Sequence, residues 1–101
     1  MANTTGYPNI IKACLLIAVD CGALNRTTTQ ADIQRQAVDF LAVYPYFHNE
    51  LTAIDTWLGT LTEEQLNLIC VGDQDEAGAE LMETKAPPFT DTLLNNWFEV
   101  C

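Results

Sequence analysis

At 101 residues the chain has the length of one domain, and with 49% apolar residues it can fill a core without metal or disulfide staples. That composition excludes a disordered acidic tail, and a formal charge of -10 argues against direct nucleic-acid binding. Serine is absent, which excludes a serine nucleophile.

The apolar spacing is helical from end to end, with no period-two run long enough for a strand. Residues 1–8 are expected as an irregular N-terminal segment. Pro8 or Asn9 opens a first helix and Gly22 closes it. Ile10, Ile11, Cys14, Leu15, Ile17, Ala18 and Cys21 cover most of its circumference, which suits the centre of a bundle or an interface. Thr28 or Thr29 caps a second helix. Ile33, Ala37, Phe40, Leu41 and Tyr44 form its apolar stripe, and Pro45 ends it.

His48 or Asn49 begins a third helix with Leu51, Ile54 and Leu58 on one face and Gly59 after its end. Thr62-Glu63-Glu64-Gln65 has the form of a capping box, opening a short fourth helix with Leu66, Ile69 and Cys70 facing in. Asp73-Gln74-Asp75-Glu76 offers a weaker box before a fifth helix to about Thr84, carrying Ala77, Leu81 and Met82. Pro87–Pro88 breaks that run. Thr90 or Asp91 caps a final helix with Leu93, Leu94, Trp97 and Phe98 as its inner positions. The expected fold is all-α, a compact single-domain bundle of five or six short helices over residues 1–101.

Charge is divided unevenly along this framework. In residues 1–48, Asp20, Asp32 and Asp39 balance Lys12, Arg26 and Arg35. Residues 49–101 hold eleven acids and Lys85 as their one base. Charged residues make up 18% of the chain, below the usual quarter, so the unusual feature is missing bases rather than added acids. Glu50, Glu63, Glu64, Asp73, Asp75, Glu76 and Asp91 fall at expected helix starts, where carboxylates complement the helix dipole. The cations that would complement the helix ends are absent.

Glu76, Glu80 and Glu83 stand at i, i+4 and i+7, one helical face with neighbours roughly 5–6 Å apart. Phosphates along a nucleic-acid strand have comparable spacing, their axial rise alone being about 3.4 Å. The row therefore fits an imitation of a phosphate strand; its ordinary alternative is a solvated face.

Other constellations carry less. Asp73, Asp75 and Gly78 match positions 1, 3 and 6 of a calcium-binding EF-hand loop, but Ala77 and Thr84 fail positions 5 and 12. His48 has no cysteine placed beside it by any motif and is expected as a partly exposed helix-start residue. Cys14, Cys21, Cys70 and Cys101 form no C-x-x-C pair. Cys14 and Cys21 would lie about 10 Å apart along one helix, too far for a disulfide. They are expected as small buried hydrophobes in a reducing cytoplasm, with Cys101 the exposed thiol. Pro45-Tyr46-Phe47-His48 lies on a connection, suited to meeting a partner or to folding down on the core. Ile10–Val19 is too short to span a bilayer and lacks the flanks of a signal peptide, so no membrane association or export is expected. No cofactor or metal is expected.

In length, in lacking enzyme motifs, and in the acid-rich segment from Thr62-Glu63-Glu64-Gln65 to Asp73-Gln74-Asp75-Glu76, the chain resembles the small acidic proteins with which phages and mobile elements block host defences. Anti-CRISPR proteins are among them. They share no single fold, so the resemblance transfers no residue roles. Several act as nucleic-acid mimics, which implies the same mode here, in the host cytoplasm. The leading expectation is a non-catalytic inhibitor docking on a basic nucleic-acid-binding protein through Glu63, Glu64, Asp73, Asp75, Glu76, Glu80 and Glu83. The alternative is a helical oligomerisation or assembly module, such as a phage structural subunit or a homodimer, resting on the first helix and Trp97-Phe98.

Overall fold

The computed structural model describes residues 7–23, 27–70 and 76–100, with backbone alone at 76, 77 and 100. In chain order the elements are α1 (Pro8–Asp20), α2 (Gln30–Leu41), a 3-10 turn (Pro45–Phe47), α3 (His48–Gly59), α4 (Glu63–Cys70), α5 (Glu76–Thr84) and α6 (Thr90–Val100). The protein is all-α, as the periodicity requires. Its radius of gyration, 13.0 Å, is that of one compact domain of this length.

Helix α1 is the axis of the bundle and packs against α2, α3, α4 and α6. Ile10, Ile11, Ala13, Cys14, Ile17 and Ala18 are buried along it. Both ends are tied. Pro8 occupies the first turn, where a missing N–H costs nothing. The free N–H groups of Asn9 and Ile10 donate to Asp55 Oδ1 of α3, at 2.8 and 3.0 Å. Asn9 Nδ2 also donates to the Asp55 carbonyl at 3.1 Å. Gly59 makes room for this clasp, because a Cβ there would lie 2.6 Å from Asn9 Nδ2. Gly59 is thus the last residue of α3 and a point of close approach, rather than a stop signal beyond the helix.

At the other end Gly22 adopts φ 80°. Ala23 N–H reaches the Ala18 carbonyl at 2.9 Å and Gly22 N–H reaches that of Val19 at 3.2 Å. This is the Schellman pattern, and glycine enters its left-handed position without a Cβ penalty.

Thr29 caps α2 in a reciprocal capping box with Asp32. The Thr29 backbone and side-chain bonds hold the Asp32 carboxyl below its ordinary range. Ile33, Ala37 and Leu41 face the core. Tyr44 lies past the helix end and joins a run of aromatic rings leading out from the interior. Phe40 meets Trp97 at 5.3 Å and Tyr44 at 5.4 Å, and Tyr44 meets Phe89 at 5.8 Å. Phe47 stacks on Phe89 at 5.0 Å. Within the Pro45 segment Phe47 folds down onto Phe89, while Tyr46 is 94% exposed.

Two expectations for α6 need correction. Neither Thr90 nor Asp91 caps it. Leu93 N–H donates to the Phe89 carbonyl at 2.9 Å, which puts Phe89 at the cap position. Phe89 has φ 80°, a strained conformation for a residue with a side chain, and its ring packs against Tyr44 and Phe47. Thr90 is buried inside the first turn and its hydroxyl donates to the Pro87 carbonyl at 2.9 Å. Phe98 is exposed rather than inward, because it lies roughly 140° around the helix from Leu93, beyond the buried arc of Leu93, Leu94 and Trp97.

Candidate functional site

The Thr62 capping box forms as the sequence indicates. Gln65 N–H donates to Thr62 Oγ1 at 3.1 Å, and Thr62 N–H donates to Gln65 Oε1 at 3.0 Å. With the cap satisfied by Thr62 and Gln65, the side chains of Glu63 and Glu64 stand exposed in the first turn of α4. They complement the helix dipole and remain available to a partner.

Helix α5 turns Gly78, Leu81 and Met82 toward the bundle and packs against α4. Its outward face carries Glu80 and Glu83, both exposed and one turn apart. Glu76 is the first residue of α5, with its side chain outside the described set. Asp73 and Asp75 lie outside the described residues, as does the start of their expected capping box.

The structure thus brings Glu80 and Glu83 onto one face. It places Glu63 and Glu64 at the opposite end of α4 from Cys70, about 10 Å along the axis. It also brings in acids that the sequence did not assign. Glu83 shares a concavity with Asp91 at the start of α6, and Asp91 in turn lines a recess with Asp20 at the end of α1. Asp20 belongs to the charge-balanced part of the sequence, and no local spacing connects it to Asp91. Asp55, by contrast, is withdrawn from the surface field by its work on α1.

Among the described residues the one ion pair is Arg35 Nη2 to Asp32 Oδ1 at 3.2 Å, within α2. The described carboxylates of residues 49–101 have no cationic partner.

The described thiols differ in exposure. Burial pushes the Cys70 thiol up to about 12, which keeps it protonated at neutral pH. Cys14 is buried too. Cys21, expected inside, is exposed because it lies just past the last turn of α1, where its thiol reaches the Ala18 carbonyl at 3.5 Å. Cys101 lies outside the described residues. His48 opens α3 and is exposed, its Nδ1 2.7 Å from the Tyr7 hydroxyl. Of the EF-hand match, Gly78 falls on helix α5, as do Ala77 and Thr84, while Asp73 and Asp75 lie outside the described residues. Among the described residues no three His, Cys, Asp or Glu side chains are grouped to hold a metal ion.

None of the described helices is long and apolar enough to cross a membrane. Comparison with protein families, with curated proteins and with solved structures finds no match to this chain.

Proposed function

We propose that the protein is a non-catalytic inhibitor that binds a basic nucleic-acid-binding protein, such as a CRISPR effector, and fills its nucleic-acid site with carboxylates. One observation carries this reading: Glu63, Glu64, Glu80, Glu83 and Asp91 are exposed and have no ion-pair partner among the described residues, on a chain of formal charge -10. Asp73, Asp75 and Glu76 complete the acidic set. Such a surface repels nucleic acid and attracts the proteins that bind it. Arginines of the partner would meet the carboxylates in bidentate pairs, the strongest contacts available to this surface.

Of the features that suit an assembly subunit, α1 and Trp97 are used within one chain, while Phe98 is exposed. Helix α1 spends its apolar circumference on four neighbouring helices, and Trp97 is 1% exposed with Nε1 donating to the Cys14 carbonyl at 3.0 Å.

A charge swap tests the reading. Glu76, Glu80 and Glu83 changed together to lysine should leave folding intact, as exposed substitutions usually do. Capture of the partner from host extract at low salt should be lost. A swapped protein that folds and still captures its partner removes this row from the site.

A further inference from the structure

Beside the acidic face of α5 lies a trough lined by both apolar and polar groups. It has two adjoining parts that share Met82 and Asp91. The outer part, about 340 Å³, lies between α5 and the start of α6, with Glu83 and Asp91 on its rim. The inner part, about 80 Å³, is lined by Ile17, Met82, Leu94 and Phe98 together with the polar groups of Asp20, Asp91 and Asn95. No lysine or arginine lines either part among the described residues.

We infer that this trough takes a cationic amphipathic segment of the partner protein, an apolar side chain entering the recess and flanking lysines or arginines meeting Asp20, Glu83 and Asp91. The inference rests on the inhibitor reading and adds to it a specific anchor. The recess is roughly half the size of the 150 Å³ cavity that holds a benzene ring, so it suits the tip of one aliphatic side chain. Met82 supplies an adaptable wall. The trough also accepts the aliphatic stem of a lysine or arginine while its charged head stays with the rim carboxylates.

Charge decides the occupant. A second copy would bring its own formal charge of -10 to a rim of three carboxylates, and a nucleic acid or an anionic bilayer would be repelled in the same way. A neutral apolar segment would leave the rim unmatched. Combining an apolar anchor with flanking cations gives an interface what charge alone lacks, a desolvated centre with a polar rim.

The full chain, isotope-labelled, is titrated at low salt with a short amphipathic leucine–lysine peptide, with oligolysine of equal charge, and with a neutral leucine-bearing peptide. The leucine–lysine peptide should shift the Met82 and Leu94 methyl signals and bind roughly tenfold more tightly than either control, a difference of about 1.4 kcal/mol. Asp20→Asn with Asp91→Asn, both at exposed positions, should remove most of that advantage. Oligolysine binding equally well, with shifts confined to Glu63, Glu64 and Glu80, overturns the trough and leaves the acidic-surface reading standing. Equal binding of the neutral peptide overturns the charged occupant. Failure of all three peptides to bind overturns the trough, while the partner-capture test above still decides the broader reading.

Discussion

Around α1 and α3 a carboxylate is a structural part. Asp55 is half-buried, accepts hydrogen bonds from two backbone N–H groups and holds the start of the central helix. Among the described side chains of α5 and α6 no carboxylate accepts such bonds. Glu80 and Glu83 are exposed, and Asp91 stands exposed beyond a cap position already held by Phe89. The two regions show that a count of acids is not a map of a charged surface. The same residue type stiffens one side of the molecule and stands exposed to solvent on the other. Asp20 and Asp55 illustrate the exchange: the first comes from the charge-balanced part of the sequence and joins the exposed rim, while the second comes from the acidic part and leaves it.

The strongest way to break this division is to remove the residue that joins the two regions. Trp97 of α6 packs on Phe40 of α2 and donates to the Cys14 carbonyl of α1. Trp97→Ala should lower stability by about 3–5 kcal/mol, read from the urea midpoint. A midpoint close to that of the parent would show that α6 is not part of the common core.

Next comes the structural carboxylate. Asp55→Ala leaves the N–H groups of Asn9 and Ile10 without their acceptor and should cost about 1–3 kcal/mol. Asp55→Asn, which keeps an accepting oxygen, should recover part of the loss. The surface carboxylates should behave in the opposite way. Glu80→Gln with Glu83→Gln should change stability by about 0.5 kcal/mol or less at each site. A large loss there would mean that the face of α5 has a structural duty after all.

The smallest effect concerns pH. The Asp32 carboxyl is held below its ordinary value of 3.8, first by the backbone N–H of Thr29 and then by its hydroxyl. Its stabilising contribution is therefore present above 3.8 and is lost as pH falls through the lower folded value. Asp32→Asn should flatten the acid limb of thermal stability against pH. An unchanged acid limb would assign that pH dependence to other groups.

Much of the fold was legible because its signals are local. Thr62 and Gln65 lie within one turn, Gly22 follows the helix it closes, and the spacing of Ile33, Ala37 and Leu41 falls on one face whatever the rest of the chain does. What was not legible depends on contacts across the chain. Asn9 and Asp55 are 46 residues apart, and Trp97 lies 83 residues from Cys14. Gly59 looked like punctuation, since the side chain it makes room for belongs to another helix. Phe89 gave no sign of its positive φ, and the rings it meets, Tyr44 and Phe47, lie more than forty residues away in sequence. For the candidate site, the sequence identified the face of Glu80 and Glu83 from their spacing. It missed Asp20 and Asp91, because only the packing of α1, α5 and α6 brings them to one rim.

The central claim is that exposed carboxylates compete with nucleic acid for a basic site. Its most direct test is displacement of a labelled oligonucleotide from the captured partner, measured as salt is raised. Displacement should be strong at low salt and should fall as ionic strength approaches physiological, where charges are screened over about 8 Å. It should also disappear when Glu80 and Glu83 are changed to lysine. Displacement that is indifferent both to salt and to that change would contradict the account.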